Sequence, residues 1–205
     1  MAQLRTLLLS LAILAAGLVT LYTATNGFRA YTSETARRIA VREHPRAVPD
    51  VSLQTADGRI IELSSLRGRW LLVDFIYTRC TTYCSVQGSQ FAQLQQRLAQ
   101  PIADNRAALL SISFDPAHDG PAQLAAYQQR SRARGSGWIA ARTTNTADLD
   151  ELMRVFGVVA VPDGIGGFVH NAAIAVVDPR GRLVAITDWD TPNEAERYVL
   201  QGLAP

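Results

Sequence analysis

The chain of 205 residues contains no lysine at all: its 20 basic residues are all arginine, set against 18 acidic ones for a net charge of +2. That absence excludes Schiff-base chemistry and the lysine of a phosphate-binding P-loop. Methionine is almost as scarce, with Met1 and Met153 alone. Met153 falls on the apolar stripe of an expected helix, so core packing rather than a thioether ligand is its expected role. The arginines are scattered, densest at Arg37, Arg38, Arg42 and Arg46, and no basic stripe interleaved with aromatics is present. Nucleic-acid binding is therefore not expected. Internal repeats and low-complexity tracts are also missing. With 48% hydrophobic and 19% charged residues, the composition suits one folded domain plus an extension.

The extension is N-terminal. Arg5 precedes an uncharged stretch from Thr6 to Ala24, about the length that crosses a bilayer. A cut after Ala24 would set the bulky Tyr22 where a cleavage site wants a small residue, which favours a retained anchor over a removed signal. Residues 1–25 read as the anchor, or uncleaved signal, with the remainder exported. Arg29, Arg37 and Arg38 on the presumed outer side leave the positive-inside signal weak. Residues 26–50, polar, arginine-rich and ending in "HPRAVPD", read as a juxtamembrane linker, and residues 51–205 as the domain.

Within the domain, "VSLQTADGRIIEL" signals a hairpin around Asp57-Gly58, and Leu71 to Tyr77 a buried strand. Apolar residues at Phe91, Leu94 and Leu98 mark a helix from about Tyr83 to Ala99. "AALLSISF" is the next strand, and Gly120-Pro121 opens the next helix. "GWIAARTT" is a further strand, followed by a helix through Leu149, Leu152, Met153 and Phe156 that stops at Gly157. A glycine-rich stretch, "VVAVPDGIGGFVH", leads to a second hairpin around Asp178-Pro179-Arg180-Gly181. Thr191, Pro192 and Glu194 match a capping box for a last helix. Strand-helix alternation between hairpins predicts an α/β fold, a mixed sheet flanked by helices of the thioredoxin-like kind.

Only two cysteines occur, Cys80 and Cys84, one helical turn apart at a strand-to-helix junction. A disulfide closing so short a loop adds little stability. Near a helix N-terminus both thiols ionise readily, and the spacing is one residue wider than a redox C-x-x-C pair. It suits two thiolates gripping one soft ion, Cu(I) or Zn, while still permitting a disulfide. Imidazole is a good third ligand. Of His44, His118 and His170, the last is best placed, delivered by the glycine-rich stretch to the sheet edge of the cysteine turn; the other reading is a loop histidine satisfied by its neighbours. Asp74, in the strand before the cysteines, either touches the site or sits at a solvated strand end.

The stretches "FIYTRCTTYCSVQGSQFAQLQ", "LLSISFDPAHDGPAQLAAY" and "GGFVHNAAIAVVDPRGRLV", in this order, resemble the Sco/SenC family of membrane-anchored copper-binding proteins over roughly Val51 to Trp189. The resemblance implies a thioredoxin-like domain anchored in the inner membrane and facing the periplasm. It implies copper, as Cu(I), Cu(II) or both, held by Cys80, Cys84 and His170, and a role in maturing the CuA site of cytochrome c oxidase. The partners implied are the copper-bearing oxidase subunit, other copper chaperones or thiol reductants. The family's acidic loop matches Asp115 and Asp119, in a supporting role. This chain departs from the usual pattern in Thr81 and Ser85, where proline commonly follows each cysteine. It departs again in Val169, where an acidic residue commonly precedes the histidine, and in His118, where the acidic loop commonly has arginine.

Two other readings share the cysteines. A membrane-anchored thiol–disulfide oxidoreductase would use Cys80 and Cys84 as attacking and resolving thiols and would need no histidine. A redox or copper sensor would differ only in what reads the site. Peroxidase chemistry is less expected, since Arg79 and Thr81 are commonplace residues. His170 discriminates between metal binding and thiol exchange.

Overall fold

A computed structural model describes residues 1–80, 83–164 and 166–204, and for residues 83–87 the backbone alone. The chain divides into two compact units, residues 1–43 and 44–205.

The first unit holds two helices. Helix α1 (Ala2–Ala24) has 23 residues, none of them buried, and is long and apolar enough to cross a membrane. Helix α2 (Ser33–Glu43) lies inside the stretch expected to be a linker. Glu34 joins Arg37 and Arg38 one turn on, at 2.6 and 2.8 Å, which supports a helix lacking a broad apolar face.

The second unit begins with β1 (Arg46–Ala47), β2 (Ser52–Thr55), β3 (Ile60–Glu62) and β4 (Trp70–Ile76). Helices α3 (Tyr83–Arg97) and α4 (Ala99–Ala103) follow, then β5 (Ala107–Ser113), α5 (Pro121–Arg130), β6 (Trp138–Thr143) and α6 (Thr146–Phe156). The chain continues through β7 (Ala160–Pro162), β8 (Phe168–His170), β9 (Ala173–Val177), β10 (Arg182–Asp188) and α7 (Pro192–Leu203). Eight strands form one sheet in the order β1-β10-β9-β4-β5-β6-β2-β3. Strands β4, β5 and β6 run parallel, joined by crossover helices, and the hairpin strands pair antiparallel around them. The sheet takes in Arg46 and Ala47 as partners of Leu183 and Arg182, so it begins before the expected start near Val51. Two residues carry no periodicity; tertiary pairing alone makes them a strand.

One sheet face buries Leu72, Ile76, Leu109, Trp138 and Val176 against Phe91 and Leu94 of α3, Leu98 just beyond its end, Leu124 of α5 and Val199 of α7. The expected three-and-four stripe of α3 is thus its core face. On the other face Phe75 packs on Phe156 of α6, ring centroids 5.2 Å apart. Asn145 caps α6 by accepting from the Asp148 N–H, and Gly157 ends it in the left-handed region at φ 66°. The capping box expected at α7 does not form: the Thr191 hydroxyl donates to the Asp188 carbonyl at 3.5 Å and makes no cap bond.

Gly202 marks where α7 meets the sheet. A Cβ there would lie deep inside van der Waals contact of the Trp70 indole. Alanine would favour the helix by about 1 kcal/mol, but the overpacking costs about 1–3 kcal/mol and wins. Gly202→Ala is expected to lower the thermal midpoint by a few degrees, measured by circular dichroism; a raised midpoint would contradict this packing.

Candidate metal centre

The site is built at the C-terminal end of β4. Residues 77–80 follow Ile76, and Cys80 closes a turn by donating its N–H to the Tyr77 carbonyl at 3.3 Å. Cys80 is half-buried. Cys84 is the second residue of α3, as the spacing predicted for the backbone; its side chain lies outside the described residues.

The turn is held from below by the acidic loop after β5. Asp119, fully buried, accepts from the Thr78 N–H at 2.9 Å, the Thr78 hydroxyl at 2.6 Å and the Ser113 hydroxyl at 2.6 Å. Arg130, ending α5, donates to the Thr78 carbonyl at 3.1 Å. Both backbone polar groups of Thr78 are therefore fixed two residues before Cys80. Asp115, also buried, accepts from Arg79 at 2.7 Å through one oxygen and pairs with His118 Nδ1 at 2.8 Å through the other. Burial works to raise the Asp115 carboxyl, but His118 and Arg79 outweigh it and hold the group below the usual carboxylate range. Both carboxylates thus point inward, onto the segment leading to Cys80, and are not free to contact a partner.

His170 arrives on a structure absent from the sequence reading. The glycine-rich stretch forms a separate two-stranded sheet, β7 with β8, pairing Ala160 with His170, Val161 with Val169 and Pro162 with Phe168. The signal was present: two short apolar runs, ending in Val161 and starting at Phe168, flank Pro162-Asp163-Gly164. The glycines obscured it. Asp163 accepts from the Gly167 N–H at 2.8 Å and closes the loop. A Cβ at Gly167 would sit 2.6 Å from the Asp163 carboxylate and 3.2 Å from Tyr77 Oη, so a larger residue there would displace the carboxylate that closes the loop.

Tyr77 connects the two parts of the site. Its hydroxyl donates to the Phe168 carbonyl and accepts from the Phe168 N–H, both at 3.4 Å. Its ring lies 6.3 Å from the His170 ring, and Phe114, at the end of β5, lies 5.1 Å from it. The histidine is thus seated against aromatics that belong to the cysteine-bearing strand end and its neighbour. Among the described residues its buried Nδ1 has no hydrogen-bond partner. Burial in this apolar surrounding lowers its pKa, so the neutral imidazole, the ligating form, prevails at neutral pH. A loop histidine satisfied by its neighbours would need a partner at Nδ1, and among the described residues there is none. His44 and His118 are exposed. Among the described residues no three histidine, cysteine or acidic side chains form a metal cluster, and Cys84 is outside them.

Asp74 is not at a solvated strand end. It is fully buried at the middle of the sheet, opposite Ser111, and both carboxylate oxygens lack a hydrogen-bond partner among the described residues. Burial pushes its carboxyl up to about 7, against the opposing effect of Ser111.

Comparison with known proteins agrees with these features. The model of the SCO1/SenC family matches residues 40–203. The SCO1 protein homolog of Bacillus subtilis is 28% identical over 139 residues, 67% of this chain and 71% of that one. The structure of Bradyrhizobium japonicum ScoI with copper bound is 25% identical with a TM-score of 0.64, covering 77% of this chain and 99% of that one. BsSco, of the Sco family of cytochrome c oxidase assembly proteins, is 22% identical with a TM-score of 0.67, covering 78% and 94%. The fold is the thioredoxin-like one expected from the strand-helix order. With 164 consecutive residues inside the family match, the chain belongs to the SCO1/SenC family.

Proposed function

We propose that the chain is a copper chaperone whose cargo is held by the thiolates of Cys80 and Cys84 and the imidazole of His170. The observation that carries this reading is the buried Nδ1 of His170, without a hydrogen-bond partner among the described residues, on a hairpin fastened to Tyr77, three residues before Cys80. A buried polar atom without a partner costs stability unless something fills its coordination. The donor set is soft sulfur plus imidazole, which suits copper. The neutral imidazole binds without losing a proton, whereas each thiol must release one. The turn before Cys80, fixed by Asp119 and Arg130, limits the rearrangement that binding demands.

Copper bound to Bradyrhizobium japonicum ScoI supports the cargo, and the oxidase-assembly role of BsSco supports delivery to the CuA-bearing subunit of cytochrome c oxidase. Other copper chaperones or thiol reductants would supply and reset the site, because a reduced pair binds metal and an oxidised pair does not. Helix α1 serves as the inner-membrane anchor, with residues 44–205 in the periplasm.

The test is copper binding by residues 44–205, reduced under anaerobic conditions. Native protein is expected to hold about one copper. Cys80→Ser, Cys84→Ser and His170→Ala are each expected to weaken it by more than the roughly 10–100-fold lost with an outer-sphere partner. If His170→Ala binds as tightly as native protein while the cysteines exchange disulfides rapidly, the oxidoreductase reading replaces this one.

A further inference from the structure

The acidic loop contains a second imidazole that the three-ligand site does not use. His118 Nδ1 lies 2.8 Å from Asp115 Oδ1. A carboxylate only accepts, so Nδ1 carries the proton and donates, which leaves the lone pair of the neutral ring on Nε2. The Arg79 guanidinium, 3.4 Å from the same Nδ1, is a donor facing a donor and belongs instead to Asp115 Oδ2 at 2.7 Å.

Asp115 is not a casual surface partner. Its side chain is 7% exposed, its oxygens are divided between His118 and Arg79, and its own N–H donates to the Ser113 hydroxyl at 3.0 Å. The loop closes on itself through the His118 and Asp119 N–H groups, both 3.0 Å from the Asp115 carbonyl. By contrast, 54% of the His118 side chain is exposed. The ring edge carrying Nδ1 faces the buried carboxylate, so Nε2, on the opposite edge of a side chain more than half exposed, is turned away from it. A carboxylate donating orientation to one imidazole nitrogen while the other is left to bind is the usual outer-sphere arrangement of a ligating histidine.

Position matters as much as chemistry. Arg79, bonded to the same carboxylate, immediately precedes Cys80. No third histidine, cysteine or acidic residue completes a cluster here among the described residues. One imidazole alone holds copper weakly and exchanges it quickly, which is useful for passage and useless for storage.

We infer that His118 is a transfer ligand, binding copper through Nε2 as it enters or leaves the Cys80, Cys84 and His170 site. The inference deepens the copper reading above and rests on it. The step is ligand exchange: one copper–nitrogen bond forms and breaks, and no electron or proton moves.

The test uses the full chain in detergent micelles, with ¹⁵N-labelled histidine, in a Cys80→Ser, Cys84→Ser, His170→Ala background. Only His44 and His118 remain, and His44 serves as the internal reference. Before metal, the His118 signals should report the Nδ1-protonated tautomer, and Cu(I) should then move the Nε2 resonance while His44 stays still. Asp115→Asn in that background is expected to weaken the response about tenfold, as loss of an orienting partner does. In the otherwise native chain, His118→Arg should slow copper uptake from a chelator by about the same factor. A His118 resonance unmoved by about a tenfold excess of Cu(I), or uptake by His118→Arg at the native rate, overturns the inference. Failure of the native chain to hold copper overturns the three-ligand reading instead, and the background variant still decides the matter for His118.

Discussion

Asp119→Ala is expected to destabilise the domain by about 3–5 kcal/mol, the range for stripping the partner from buried, hydrogen-bonded groups. Three donors lose their acceptor together: the Thr78 N–H, the Thr78 hydroxyl and the Ser113 hydroxyl. The two hydroxyls can rotate toward other acceptors, but the amide cannot, and it sits two residues before Cys80. The cost therefore divides between global stability and the geometry of the cysteine turn. Asp119→Asn separates them. Its amide oxygen can keep the Thr78 N–H and Ser113 bonds, and its NH₂ can donate to a rotated Thr78 hydroxyl, so about 1–2 kcal/mol is expected. Urea unfolding of the reduced protein gives the stabilities, and alkylation of Cys80 reports the turn. An alanine variant within about 1 kcal/mol of native, with unchanged alkylation, would show that the clamp does not hold the turn.

A second large effect lies at Asp74 and depends on pH. The group ionises near 3.8 in its ordinary state and at about 7 in the fold. Below pH 3.8 both states are protonated and nothing is lost. Between 3.8 and 7 the folded protein keeps a proton that the unfolded chain has released, so this group makes stability fall as pH rises, levelling off above 7. At about 1.4 kcal/mol per pH unit the full penalty is about 4 kcal/mol as an upper bound. Asp74→Asn removes the titration and nearly preserves the volume. The variant is expected to gain of order 2–4 kcal/mol over native at pH 8 and little near pH 4. Urea titrations at the two pH values measure this; parallel pH profiles for the two proteins would refute it.

Why a folded chain would retain Asp74 could not be read from its neighbours in sequence. A charged residue inside "LLVDFIY" is compatible with a strand end or a site, and only its three-dimensional surroundings, buried opposite Ser111 of β5, exclude the solvated strand end. What could be read had a local cause. The β4 run is apolar because both sheet faces are covered, α3 repeats at three and four because one stripe faces the core, and Asp57-Gly58 and Asp178 to Gly181 turn because their residues favour turns. The parts that escaped depend on distant segments. Strand β1 exists through Leu183, the Thr191 hydroxyl turns to Asp188 instead of its own helix, and the β7–β8 hairpin is fixed by Tyr77 some ninety residues away. Of the expected ligands, sequence placed Cys80 at its turn and Cys84 at the start of α3, and singled out His170; the inward commitment of Asp115 and Asp119 needed the fold.

The β7–β8 ladder shares no strand with the eight-stranded sheet. Among the described residues it meets the rest of the domain through aromatic edges and through hydrogen bonds to the Tyr77 phenol at 3.4 Å. Lifting it away leaves every rung of the main ladder intact, so the work of moving His170 is that of a subglobal opening and not of melting the domain. In such an arrangement the lifetime of the closed hairpin, and not the unfolding rate of the protein, sets the clock on which the His170 imidazole leaves Tyr77 and Phe114.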